Sequence, residues 1–137
     1  MTMAADKKDA IGELLTRTRT IAVVGLSSDP MRPSFGVSQY MQGKGYRIIP
    51  VNPNESSVLG EKCYRTLSEI PEKVDMVDVF RRPEFVAEIV DEAIRLKIAS
   101  LWLQEGVVDP TAAQKARDAG ISVVMDRCIL KEHRARF

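Results

Sequence analysis

Three serines and an arginine, Ser27, Ser28, Ser34 and Arg32, crowd a short loop between the apolar run Ile21-Ala22-Val23-Val24 and a segment with helical spacing. Hydroxyls and a guanidinium at the end of a buried strand suit an anion, because the helix that follows adds backbone N–H groups left unpaired in its first turn. Phosphate is the anion such a loop takes best. A dinucleotide fingerprint needs three glycines here for close backbone approach to a pyrophosphate, and this loop has only Gly25. An acidic residue for the ribose hydroxyls is expected about twenty residues further on, but Asn52 followed by Pro53 stands in that place. A neutral side chain there argues against NAD and for a phosphorylated nucleotide of another kind.

Acid–base and redox candidates are few. Glu105, beside Gln104 and Gly106, is the one carboxylate expected near such a site, and without a partner it makes a thin case for general-base work. Cys128 follows Arg127 at a strand end, where a nearby cation would favour thiolate and a thiol-redox role; the alternative is a small residue opening a terminal helix. Cys63 has no such setting, and both cysteines read as reduced thiols. A single histidine, His133, excludes a histidine-rich metal site.

The elements that must position these groups alternate along the chain. A polar tail over 1–7 leads into a helix over 8–18 with Ile11, Leu14 and Leu15 on one face. Residues 21–25 form a continuous β-branched strand, buried on both faces as in a parallel sheet. Ser34 is expected to cap a helix carrying Val37, Tyr40 and Met41, ended by Gly43 and Gly45. A second strand spans 46–51 and ends in Asn52-Pro53-Asn54. Residues 55–71 are mixed, with a short edge strand at Cys63-Tyr64 and a helical turn capped by Thr66 or Ser68. A strand over 76–80 precedes a helix from Pro83 with Val86, Ile89, Val90, Ala93 and Ile94 as its apolar stripe. The strand 100–103 leads to Gln104-Glu105-Gly106, then Asp109-Pro110 caps an alanine-rich helix stopped by Gly120. The last strand covers 121–125, and 129–137 is a short basic tail.

This alternation predicts a single domain over 1–137 with a three-layer α/β/α Rossmann-like fold and a mostly parallel sheet of five or six strands. Ligands of such sheets bind outside the carboxyl ends of the strands, where the strand order reverses. That rule selects residues 26–34, 52–54, 81–83, 104–106 and 126–128 as one rim. With 137 residues, 45% hydrophobic content and a net charge of +1, there is room for one core and no general field for nucleic acid. No run is long enough to span a bilayer and the first twenty residues are too charged for a signal peptide, so the expected location is cytoplasmic. A homo-oligomer or an unknown protein partner stays open.

Together, Ala22-Val23-Val24-Gly25-Leu26-Ser27, Arg32-Pro33-Ser34, Ile49-Pro50-Val51-Asn52-Pro53, Val77-Asp78-Val79-Phe80-Arg81, Leu101-Trp102-Leu103-Gln104-Glu105-Gly106 and Met125-Asp126-Arg127-Cys128 resemble the stand-alone CoA-binding proteins. These are similar to the CoA-binding domain of the succinyl-CoA synthetase α subunit. The resemblance implies coenzyme A or an acyl-CoA as cofactor. It implies phosphate contacts at Leu26, Ser27 and Ser28, with Gly25, Arg32, Pro33 and Ser34 as neighbouring cofactor-binding candidates, and a further contact at Asn52-Pro53-Asn54, where the synthetase has a lysine and this chain has none. Phe80, Arg81, Arg82 and Pro83 would line the adenine or pantetheine side, and Gln104, Glu105 and Gly106 the pantetheine path. The synthetase also needs a phosphohistidine domain and an ATP-binding partner, so a binding module without turnover is expected; the alternatives are an NAD(P)-dependent enzyme or sensor and a CoA-linked thiol-redox protein using Cys128.

Overall fold

A computed structural model of the chain describes residues 9–137, so the polar segment 1–7 and the first residue of the expected 8–18 helix lie outside the described residues. Five helices, α1 (Ala10–Arg17), α2 (Pro33–Gly43), α3 (Val86–Arg95), α4 (Pro110–Asp118) and α5 (Ile129–Arg136), surround the strands β1 (Thr20–Val24), β2 (Arg47–Val51), β5 (Met76–Val79), β6 (Ser100–Leu103) and β7 (Ser122–Met125). Two further strands, β3 (Ser57–Val58) and β4 (Glu61–Lys62), form a separate small hairpin. The main sheet is wholly parallel in the order β2-β1-β5-β6-β7.

Strand alternation divides the core in two. Ala22, Val24, Val77, Val79, Leu101 and Leu103 face one side, against Val86, Ile89, Val90 and Ala93 of α3 and Ala112 and Ala116 of α4. Ile21, Val23, Ile48, Met76 and Trp102 face the other, against Leu14 and Leu15 of α1, Met41 of α2 and Ile129 of α5. These side chains are buried on both faces, which is why the strands read as continuous apolar runs. Each fully buried aliphatic or aromatic side chain contributes about 1.5–3 kcal/mol relative to exposure. Trp102 also meets its polar requirement, since its indole Nε1 donates to the Arg127 carbonyl at 2.8 Å.

Pro50 sits inside β2 without breaking the ladder. Its carbonyl accepts from Tyr64 N at 3.0 Å, so its nitrogen also points to the outer edge, where no bond to β1 is lost. The 55–71 segment supplies that outer cover: β3 and β4 lie upstream of the expected Cys63-Tyr64 strand, and Tyr64 makes a parallel bridge to Val51. A single 3-10 turn over Leu67–Glu69 follows, with Thr66 before it but no side-chain cap.

Three local expectations change. Ser34 is not the cap of α2, because Arg32 occupies that position and Pro33 the first helical one. The Pro83 helix begins as a 3-10 turn over Pro83–Phe85 before becoming α3. The basic carboxyl-terminal tail is the helix α5, packed on α1 through Arg136 and Asp9, 2.7 Å apart. Asp109 caps α4 as expected, accepting from Ala112 N at 3.0 Å.

Candidate functional site

From β1 the chain moves outward to β2, then returns past β1 to β5, so the strand order reverses between β1 and β5. The two loops that leave this point touch. Gly25 has φ of +90°, and a Cβ there would collide with the Phe80 carbonyl oxygen and approach Arg81 Cδ to 3.1 Å. Only glycine accommodates both the left-handed backbone and the contact. Gly25 N donates to Val51 O at 2.8 Å and Phe80 N to Val24 O at 2.9 Å, which ties the loops to the sheet.

Outside these strand ends lies a cavity of about 500 Å³. Gly25, Ser27, Arg32, Pro33 and Ser34 form one wall, Phe80, Arg81, Arg82 and Pro83 the next, and Gln104, Glu105 and Gly106 the third, with Cys128 beside them. Val37 and Val107 add apolar surface that sequence reasoning did not select. The rim expected from 52–54 is not part of this cavity.

The β1 loop is held by its own side chains. Ser27 N donates to Ser34 Oγ at 3.0 Å, Asp29 N to Ser27 Oγ at 3.0 Å, and Met31 N to Asp29 Oδ1 at 2.9 Å. Ser34 therefore folds the loop back onto the first turn of α2, which carries no side-chain cap. Pro33 brings no N–H and Phe35 N donates to Arg32 O at 3.1 Å, so Ser34 N is the first-turn donor left for an anion. Ser28 turns away, donating from N and Oγ to Glu55 Oε2 at 2.8 and 2.9 Å. Leu26 is fully buried. Asn52 braces the loop from behind, its Nδ2 donating to Leu26 O at 3.1 Å while its Oδ1 accepts from Asn54 N at 2.9 Å. Pro53 and Asn54 are exposed in the same turn.

Charge in the cavity is mostly positive. Arg32 is exposed and makes no ion pair with any described residue. Arg81 lies with its guanidinium carbon 4.0 Å from the Phe85 ring centre, and Arg82 is 3.9 Å from Glu84. Glu105, the lone carboxylate lining the cavity, is engaged by Lys131 Nζ at 3.2 Å. Arg127 reaches Glu132 at 3.4 Å, while the partly exposed Cys128 begins α5 as its cap residue. Cys63 is buried, which pushes its thiol pKa up. No cluster of histidine, cysteine or carboxylate among the described residues could hold a metal.

Beneath Gln104 lies a carboxylate that the strand pattern concealed. Asp78, 2% exposed, pairs in register with Val23 on one side and Trp102 on the other. Gln104 Nε2 donates to its Oδ1 at 2.6 Å, and Gln104 Oε1 accepts from Ile129 N at 3.4 Å. Burial pushes the Asp78 pKa up to about 7, against the lowering effect of the Gln104 hydrogen bond. Gln104 thus links the cavity lining to a buried acid below and to the start of α5.

The sequence and the fold both have known relatives. Residues 19–134 match the model of the CoA binding domain family. The chain is 42% identical over 131 residues to the uncharacterized protein YneT of Bacillus subtilis (strain 168), covering 96% of this chain and 97% of that one. A solved hypothetical protein from Pyrococcus horikoshii OT3 is 37% identical with a TM-score of 0.90, covering 98% of this chain and 96% of that chain. The ADP-forming acetate–CoA ligase II of Archaeoglobus fulgidus is 33% identical over 76 residues, which span 54% of this chain but only 11% of the ligase. With its five-stranded parallel sheet flanked by helices and a family match over nearly its whole length, this chain belongs to the CoA-binding-domain family.

Proposed function

We propose that this chain binds coenzyme A or an acyl-CoA in the cavity at the carboxyl ends of β1, β5 and β6, as a binding module without turnover. The observation that carries this reading is the cavity's position at the strand-order reversal in a CoA-binding-domain chain. Ser27, the hydroxyl and backbone N–H of Ser34, and Arg32 would take the pyrophosphate. Phe80, Arg81, Arg82 and Pro83, with Gln104 to Gly106, would line the remaining length of the ligand. Leu26, Ser28 and the 52–54 turn support the loop from outside the cavity. The cytoplasm is the setting this role fits, since its thiols stay reduced.

Calorimetric titration with coenzyme A, acetyl-CoA, NAD and NADP tests the proposal. Micromolar coenzyme A binding that weakens at least tenfold in Arg32→Ala is the expected result. Clear NAD binding with no response to coenzyme A would overturn it. Asn52 favours the first outcome, because its amide is committed to the loop and offers no carboxylate to a ribose.

Cys128 in the cavity lining favours a second reading, thiol–disulfide exchange with a CoA disulfide. The Cys128 thiolate would attack one sulfur of that disulfide, forming a protein–CoA mixed disulfide and releasing the other CoA as thiolate. Intact-mass measurement after incubation with CoA disulfide should show one CoA added to the wild type and none to Cys128→Ser. Equal labelling of both proteins would refute the assignment.

A further inference from the structure

A second hollow, of about 280 Å³, opens where Val24 and Val51 end β1 and β2, towards α3. Three arginines from different elements line it: Arg65 in the crossover after β4, Arg81 at the end of β5, and Arg95 in the last turn of α3. Arg65 is placed beside the end of β2 by its neighbour Tyr64, whose carbonyl accepts from Asn52 N at 2.8 Å. Among the described residues Arg65 and Arg81 make no ion pair, whereas Arg95 lies 3.7 Å from Glu92. Glu88 and Glu92 line the α3 side, and Glu92 also accepts from Ser68 Oγ at 2.8 Å. Arg65 and Arg81 are therefore the arginines of the hollow without a carboxylate contact, and with three arginines against Glu88 and Glu92 its lining is net positive. Arg81 also lines the larger cavity, so the two hollows share a wall.

Resting on the proposed coenzyme A binding, we infer that this second hollow takes the ligand's 3′-phosphate, with Arg65 and Arg81 as its cations. Coenzyme A carries two separate anionic groups, a pyrophosphate on the 5′ carbon of its ribose and a monoester on the 3′ carbon. Two adjacent hollows, each with an arginine that lacks a carboxylate partner, match that pair of groups. NAD, with a pyrophosphate alone, would leave the second hollow without its anion. A phosphate monoester carries roughly −1.5 to −2 charges at neutral pH, and guanidinium groups bind it through paired N–H donors. The specificity assigned to Arg65 is thus for coenzyme A over its 3′-dephospho form.

The test is a calorimetric titration of the wild type and Arg65→Ala with coenzyme A and with 3′-dephospho-CoA. The wild type should favour coenzyme A at least tenfold. In Arg65→Ala that preference should collapse to within twofold, because coenzyme A binding weakens while dephospho-CoA binding stays unchanged. Equal binding of the two ligands by the wild type, or equal weakening of both in the variant, would overturn the inference while leaving coenzyme A binding intact. Binding of neither ligand by the wild type would overturn the coenzyme A reading itself. Arg65 is exposed, so the variant should fold, and a circular-dichroism melt matching the wild type checks that directly.

Discussion

Replacing Asp78 with asparagine should flatten the dependence of stability on pH. Asp78 is buried between Val23 and Trp102, and its pKa of about 7 compares with 3.8 for an unperturbed aspartate. Between those values the folded chain holds a proton that the unfolded chain has released. Stability must therefore fall as pH rises through that window and level off above pH about 7. The slope is about 1.4 kcal/mol per pH unit, so the whole shift is on the order of 4 kcal/mol, of which roughly 2–3 falls between pH 5 and 8. Asparagine keeps a hydrogen-bonding partner for Gln104 and carries no titratable proton. Urea unfolding of both proteins at pH 5, 6, 7 and 8 measures the effect, and every other titrating group cancels in the difference between them. The wild type should lose stability relative to Asp78→Asn as pH rises. Parallel pH profiles would show that the carboxylate ionises without cost in the folded state and would refute the reasoning.

Ser34→Ala should lower stability by about 1 kcal/mol, since it strips the Ser27 N–H of its acceptor, and should weaken ligand binding by loosening the loop; urea unfolding and calorimetry read the two effects. Gly25→Ala should be more damaging, because about 1–2 kcal/mol of left-handed strain is added to the collision with Phe80 O; a fall in melting temperature far larger than that of Ser34→Ala is expected. His133 is buried against Tyr40 and near Lys44, and both burial and that charge hold its pKa below 6.5. The unfolded chain then binds a proton before the folded one, so this contribution to stability is lost as pH falls below about 6.5. Proton NMR titration of the His133 ring in the folded protein should give a midpoint below that of a free histidine, and a midpoint at or above it would refute the assignment.

The parallel sheet was legible because its strands are largely buried on both faces and so consist of short, mostly apolar runs, and the switch-point rule then located most of the cavity. Less legible were residues whose partners are distant in sequence. Asn52 occupies the position expected of a ligand contact, yet its amide is spent on Leu26 and Asn54. Ser34 has the composition of a cap but serves as an acceptor for a loop residue seven positions earlier. Asp78 falls within the expected 76–80 strand, but its enclosure by both neighbouring strands and Gln104 depends on residues far away in sequence. The terminal helix carries little apolar sequence, since among its residues only Ile129 and His133 are buried. Arg65, Arg81 and Arg95 meet only because the crossover and α3 converge on the ends of β1 and β2.

The crossover between β2 and β5 is attached to the sheet differently from the strands it connects. It joins the sheet's outer edge through few backbone bonds, Tyr64 N to Pro50 O and Asn52 N to Tyr64 O among them. The inner strands β1, β5 and β6 each pair with a neighbour on both sides. Arg65 itself is exposed on this segment, between the buried Cys63 and Leu67, so its side chain can change without touching the ladder that folds the domain. One scaffold could in this way be retuned for differently phosphorylated ligands by altering an exposed side chain at its edge.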